Sequence, residues 1–245
     1  MGSVFARAFL RQGYPVQPVL RRHNMADIAR NMADPALVLV AVAEQDLHAT
    51  LAQIPGNWRS SLALLQNELL PRDWQQHDLH NPTVISVWFE KKRGQDYKVI
   101  VPSPVYGPHA GLIVEALASL EIPCQALHSE AELLFELVRK NVYILTTNIA
   151  GLVTGGNVAS LWQQHRTLAK QVANDIIDIQ DWLTKQHSDR QALMDAMVAA
   201  FDGDPEHGCM GRSAPTRLAN AIKAADEAQL AVPTLREIAS QAGTR

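Results

Sequence analysis

The sequence is short of the features that mark secreted, membrane and nucleic-acid-binding proteins. It has only two cysteines, Cys124 and Cys209, and their wide separation disfavours both a disulfide framework and a structural zinc site. No apolar run reaches the roughly 18 residues that are needed to cross a bilayer. The net charge of −3 supplies no basic field for nucleic acid. We therefore expect a cytoplasmic protein that binds neither membranes nor nucleic acid.

The short motifs of common hydrolases are also missing. The nine histidines form neither H-x-x-x-H nor H-E-x-x-H, so metal-dependent hydrolysis has no support. Ser3, Ser103, Ser129 and Ser213 lack the G-x-S-x-G context of an α/β-hydrolase nucleophile. The acidic loop 202–208 lacks the ligand spacing of a calcium loop. We predict no metal site.

The first half of the chain alternates short β-rich runs with helical or turn segments. This alternation is typical of a mostly parallel, doubly wound sheet between layers of helices. The segments 83–90 and 96–101 flank a charged turn and indicate an antiparallel hairpin added to that sheet. We predict strands over 14–20, 36–42, 61–65, 83–89, 97–101 and 123–126.

The chain becomes helical from about residue 129 onwards. Long segments there carry apolar positions at a 3.6-residue period and contain few helix breakers. We predict helices over 130–148, 160–185, 189–200 and 214–230. An α/β half followed by an all-helical half is typical of several dehydrogenase families.

The start of the chain resembles the second half of a dinucleotide-binding turn. In the complete unit a strand runs into G-x-G-x-x-G, and backbone N–H groups at the following helix receive the pyrophosphate. Only the last glycine, Gly2, is present, and Ser3 follows it. Apolar residues at 4, 5, 8 and 9 then share one helix face, and Gly13 can end that helix. We expect the first strand and the opening glycines upstream of Met1, which would then be an internal methionine.

Two arginines stand where the second strand of such a unit would end. An acidic residue at that place binds the ribose hydroxyls of NAD, whereas a basic one accommodates the 2′-phosphate of NADP. This chain has Arg21 and Arg22 there and no acid. A guanidinium presents a fork that suits phosphate, so we expect NADP; the alternative is that both arginines are ordinary surface charges.

Three further segments, in this order, resemble the ketopantoate reductase family. The segment 62–69, LALLQNEL, resembles the family's Q-N-G segment, and 140–148 resembles its helix with a catalytic lysine followed by asparagines. The segment 230–234, LAVPT, resembles its closing V-P segment. The resemblance covers almost the whole chain. It implies an α/β, Rossmann-like NADP-binding domain over 1–128 and a helical substrate and dimerisation domain over 129–245.

The resemblance also implies roles for individual residues of the helical half. Lys140 would be the catalytic lysine, which supplies a proton and stabilises the developing alkoxide across the cleft from the nicotinamide; read alone, it is an exposed helix lysine. Asn148, a little over two helical turns later, matches the second of the substrate-binding asparagines. Ile144 stands where the first asparagine would be. Ser213 stands where the family has a glutamate, and we include it in the substrate site.

The cofactor-binding residues follow from the same resemblance. Val42 and Ala43 occupy the stretch where the family often places a lysine, and their backbone groups would line the pocket. Asn67 would contact the nicotinamide ribose or the substrate, and its alternative role is a loop cap. The complete predicted cofactor set is Gly2, Ser3, Arg21, Arg22, Val42, Ala43 and Asn67.

The resemblance implies an NADPH-dependent oxidoreductase that reduces a small 2-oxo acid to a 2-hydroxy acid and forms a homodimer. Ile144 and Ser213 replace working residues of the family, and they make ketopantoate itself a doubtful substrate. One alternative is a non-catalytic nucleotide-sensing or interaction protein of the same fold. Another is a two-domain reductase of imines or other carbonyls.

Overall fold

The computed structural model describes residues 1–91 and 94–242. They form two compact units, of which the first is Met1–Leu137 and the second begins at Val138. The division falls within one long helix, Glu130–Thr154. The domain limits that the sequence indicates, 1–128 and 129–245, stay a prediction. None of the described helices combines the length and the apolar character of a membrane span.

A five-stranded sheet in the first unit confirms the predicted α/β fold class. The strands of the described residues are, in chain order, β1 (Val38–Val40), β2 (Leu62–Leu64), β3 (Thr83–Ile85), β4 (Phe89–Lys91), β5 (Tyr97–Val99), β6 (Ser103–Tyr106) and β7 (Cys124–Ala126). The main sheet has the order β1-β2-β3-β6-β7, and all its neighbours are parallel except β3 and β6. Its central strands β2 and β3 are buried throughout, as a sheet covered on both faces requires.

The prediction of a strand over 14–20 is wrong. The segment has no regular structure, and its large apolar side chains are exposed. Pro15 and Pro18 explain the difference, because a proline has no N–H with which to join a strand ladder. In the part of the chain that the structure describes, β1 pairs with β2 alone and is an edge of the sheet. The expected upstream strand stays a prediction.

The predicted hairpin forms, but its placement is wrong. β4 and β5 pair antiparallel, with Phe89 opposite Val99, yet they make a separate two-stranded sheet. The predicted arm 83–90 divides into β3, which belongs to the main sheet, and the start of β4. The antiparallel partner of β3 is β6, which the sequence did not predict because Pro102 and Pro104 interrupt its β-like pattern. Residues 92 and 93 of the hairpin turn lie outside the described residues.

The helices of the first unit cover the sheet. They are α1 (Gly2–Arg11), α2 (Met25–Asn31), α3 (Leu47–Leu51), α4 (Pro71–Gln75) and α5 (Ala110–Ala118). The helix predicted after Gly2 is confirmed as α1, which buries Val4, Phe5, Ala8 and Phe9 in the core of this unit. Burying one such large side chain stabilises a fold by about 1.5–3 kcal/mol. This packing fixes the start of α1 against the sheet.

The second unit is helical, as the sequence predicts. Its helices are the part of α6 (Glu130–Thr154) from Val138 onwards, α7 (Val158–Gln164), α8 (Arg166–Thr184), α9 (Arg190–Gly203), α10 (Ala214–Glu227) and α11 (Pro233–Ala242). The single helix predicted over 160–185 is wrong, because His165 leaves the helical conformation with φ −127° and separates α7 from α8. Residues 243–245 lie outside the described residues.

Candidate functional site

In the first unit, Gln66 ties together the carboxyl ends of β1 and β2. Its buried side-chain amide donates to the carbonyl of Val40 at 2.6 Å and to that of Val42 at 3.4 Å. Its side-chain oxygen accepts from the backbone N–H of Leu65 at 3.2 Å. Gln66 thereby fixes the two segments that carry Val42 and Asn67 at one edge of the sheet. Ligands of open α/β sheets bind at this carboxyl edge.

The start of α1 lies at the same edge. A Cβ added to Gly2 would stand 3.3 Å from the Cβ of Ala41, so a larger residue at this position would need a small shift of the chain leaving β1. Ser3, in the first helical turn, is exposed. The N-cap residue Met1 makes no side-chain capping bond, so the first turn presents backbone N–H groups. Such a turn suits the phosphate of a dinucleotide, and the close packing fits the last glycine of the motif.

Arg21 is positioned by the segment that follows β1. Its Nη2 atom lies 2.6 Å from Oδ2 of Asp46, in the turn that follows Ala43, and its side chain is 87% exposed. Arg22 is also exposed. The structure thus brings Gly2, Val42, Ala43 and Asn67 to one edge of the first unit and ties Arg21 to a residue just beyond that edge.

In the second unit, Lys140 is a buried lysine. Only 5% of its surface is exposed, so the alternative of an exposed helix lysine is wrong. A charged side chain is seldom so deeply buried without a specific role or partner. One turn later, Ile144 is only half-buried, although residues 140–143 and 145–151 of α6 are all buried. This face of α6 therefore presents a buried lysine followed by a partly accessible apolar side chain.

Asn148, one further turn along α6, contacts an arginine that the sequence analysis missed. Nη1 of Arg217, on α10, donates to Oδ1 of Asn148 at 3.0 Å. The sequence contains no signal for this contact, because the two residues are 69 positions apart. Arg217 lies four residues after Ser213, which is exposed and precedes α10 as its N-cap residue.

A tightly packed loop places α10 against α6. A Cβ at Gly151 would come within 2.8 Å of the backbone carbon and oxygen of Cys209, and a Cβ at Gly211 would stand 3.3 Å from Oδ1 of Asn148. The N–H of Cys209 also donates to the carbonyl of Gly156 at 3.0 Å. The loop before α10 is therefore held directly against the face of α6 that carries Asn148. The second unit brings together Lys140, Ile144, Asn148 and Arg217 on and beside this face.

The V-P segment has a structural role at the start of α11. The carboxylate of Asp175, on α8, accepts from the backbone N–H groups of Thr234 at 2.9 Å and Leu235 at 3.1 Å. Burial raises the pKa of Asp175 above its usual value, and these hydrogen bonds and the nearby Asp178 modify that shift. The segment therefore docks the start of α11 on α8.

No family model matches the sequence, and no curated protein matches it. Solved structures do match its fold. A 2-dehydropantoate 2-reductase from Geobacter metallireducens GS-15 matches with a TM-score of 0.67 and 12% identity, covering 99% of this chain and 96% of that one. A D-mandelate dehydrogenase with NADH and anilino(oxo)acetate matches with a TM-score of 0.60 and 12% identity, covering 86% of this chain and 76% of that one.

A dimeric ketopantoate reductase from Staphylococcus aureus also matches, with a TM-score of 0.59 and 16% identity over 85% of this chain and 77% of that one. These identities establish a shared fold alone. The chain has the fold of ketopantoate reductases and D-mandelate dehydrogenase, an α/β unit followed by a helical one.

Proposed function

We propose that this protein is an NADPH-dependent reductase of small 2-oxo acids. The observation that carries the proposal is the burial of Lys140 on the face of α6 that also carries Asn148. The fold neighbours support it, since one is named a 2-dehydropantoate 2-reductase and another binds NADH and anilino(oxo)acetate, which carries an oxo group and a carboxylate. The dimeric neighbour supports a homodimer, and the low cysteine content supports a cytoplasmic location.

The first unit supplies the groups that would hold the dinucleotide. Gly2 and Ser3 offer the first-turn N–H groups to the pyrophosphate, while Val42, Ala43 and Asn67 line the carboxyl edge of the sheet. Arg21 and Arg22 offer their guanidinium groups to the 2′-phosphate. The bound cofactor supplies a hydride.

Lys140 supplies the proton that completes the reduction. Its Nζ ammonium stabilises the negative charge that develops on the carbonyl oxygen and then donates a proton to that oxygen. A buried ammonium does this better than an exposed one, because electrostatic interactions are stronger away from water. Asn148 and Ser213 bind the remainder of the substrate.

The test is the oxidation of NADPH over a panel of 2-oxo acids, followed by Lys140→Ala. We expect the variant to lose roughly 10²–10⁴-fold in turnover, the range for a lost general acid, while its NADPH affinity, measured by fluorescence titration, stays within experimental error. Lys223→Ala is the matched control, because Lys223 is a 78% exposed lysine on α10. Full turnover by Lys140→Ala on an active substrate would contradict the proposal.

Ile144 and Ser213 favour a second candidate, a nucleotide-binding protein without catalysis. Such a protein would bind NADPH in the fluorescence titration and oxidise it with no 2-oxo acid of the panel. A preference for cyclic imines in the same assay would instead identify an imine reductase.

A further inference from the structure

The contact between Arg217 and Asn148 places a permanent positive charge beside the face of α6 that we assign to the substrate. Arg217 is half-buried, and its Nη1 atom is held by a hydrogen bond to Asn148 Oδ1 at 3.0 Å. A guanidinium held in one orientation suits bidentate pairing with a carboxylate. The loop packed at Gly151 and Gly211 holds the start of α10 in place, so the charge is built into the fold.

The spacing along α6 separates this charge from the reacting carbonyl. Lys140, Ile144 and Asn148 follow one another at intervals of four residues, so the Cα atoms of Lys140 and Asn148 are about 12 Å apart along the helix axis. The carboxylate of a 2-oxo acid is bonded directly to its carbonyl carbon. A group beside Arg217 therefore belongs several bonds further along the substrate.

Ile144 indicates the chemistry of the substrate between its carbonyl group and the group beside Arg217. It is the half-buried apolar residue between Lys140 and Asn148 on this face of α6, and Asn148 is the residue that Arg217 contacts. It makes no hydrogen bond, so it favours methylene groups over hydroxyl groups. The three positions in order suit a carbonyl, a short aliphatic chain and an anion.

We infer that the substrate is a 2-oxo dicarboxylic acid whose distal carboxylate is bound by Arg217. This inference rests on the proposed function, because it takes Lys140 as the group that acts on the carbonyl. Asn148, which we assign to substrate binding, also holds Arg217 through its Oδ1 atom.

The first test measures binding without chemistry. Glutarate, a dicarboxylate with no carbonyl group to reduce, is titrated into the protein in a calorimeter. We expect Arg217→Gln to weaken the binding of glutarate roughly 10- to 100-fold, the loss of one charged hydrogen-bonded pair, and Arg217→Lys to weaken it less. Lys223→Gln is the control, since it removes one exposed charge from the same helix. Equal weakening by Lys223→Gln would overturn the inference.

The second test compares 2-oxoglutarate with 2-oxohexanoate, which has a similar length and no distal charge. We expect the unmodified protein to prefer 2-oxoglutarate and Arg217→Gln to lose that preference through a higher KM at nearly constant kcat. An active reductase that prefers 2-oxohexanoate, or that keeps its preference in Arg217→Gln, would overturn the inference and leave the proposed function standing. Glutarate binding that depends on Arg217, without reduction of any 2-oxo acid, would support the anion site and reject the proposed function.

Discussion

Glu68 departs from the resembling motif at a position whose backbone conformation favours glycine. It stands where the resembling Q-N-G segment has glycine, and its φ of +58° is the left-handed conformation that glycine adopts without strain. An L-residue with a side chain pays about 1–2 kcal/mol for that conformation. The turn that carries Asn67 is thus formed against the preference of its own sequence.

We expect Glu68→Gly to stabilise the protein by about 0.5–1 kcal/mol, because relief of the left-handed strain exceeds the greater flexibility of glycine in the unfolded chain. The measurement is the urea midpoint at constant m-value. Glu68→Ala is the matched control, since it removes the same side chain and keeps the strain. An equal gain in both variants would show that the side chain, and not φ, is responsible.

At single residues, sequence reasoning could reach only what neighbours in the chain reveal. The helical spacing of Lys140 and Asn148 was readable, because both lie on one helix. The burial of Lys140 could not be predicted from the sequence, because it depends on tertiary packing around α6. Arg217 was missed because only the folded chain brings it to Asn148.

At the scale of elements, the pattern predicted strands and helices well where periodicity was strong. The predicted strands over 36–42 and 97–101 contain β1 and β5, and the long periodic segments are helical, although His165 divides 160–185 into α7 and α8. Among the strands, the errors lie where local signals conflict with tertiary contacts: the coil at 14–20 and β6, which follows Pro102 and contains Pro104. In both places prolines alter the available backbone hydrogen bonds, and only the neighbouring strands decide the outcome.

The packing of α6 against the loop before α10 gives an element-scale prediction. We expect Gly151→Ala to destabilise the protein by about 1–3 kcal/mol, because its Cβ would meet the backbone of Cys209 at 2.8 Å. Gly111→Ala, on α5, is the control: nothing lies within 4 Å of its Cβ, so we expect a gain of up to about 1 kcal/mol. Both are measured by urea unfolding. A neutral Gly151→Ala would show that the loop moves freely.

The docking of α11 on Asp175 gives a pH-dependent prediction. Burial raises the folded-state pKa of Asp175, so the folded protein retains a proton that the unfolded chain releases above pH 3.8. The contribution of Asp175 to the free energy of unfolding therefore falls as the pH rises above 3.8. Asp175→Asn keeps an oxygen for the N–H groups of Thr234 and Leu235 and has no charge to bury.

We therefore expect the stability of Asp175→Asn relative to the unmodified protein to increase between pH 4 and pH 7. Urea unfolding at each pH unit is the measurement. Asp175→Ala separates the charge from the hydrogen bonds, and we expect it to be less stable than Asp175→Asn by about 1 kcal/mol, the value of a helix cap. If the stability of Asp175→Asn relative to the unmodified protein falls with rising pH, the pKa of Asp175 is not raised in the folded protein.

At the scale of the whole molecule, the cofactor preference tests the first unit independently of the chemistry in the second. We expect Arg21→Ala/Arg22→Ala to lose affinity for NADPH roughly 10-fold or more and to bind NADH unchanged, since only NADPH carries the 2′-phosphate. Asp46→Asn is a second, complementary variant, because the Asp46 carboxylate lies 2.6 Å from Arg21 and would repel a phosphate bound by Arg21. If Arg21 binds the phosphate, Asp46→Asn raises the affinity for NADPH. If Asp46 instead binds the ribose hydroxyls, Asp46→Asn weakens NADH and the NADP assignment is wrong.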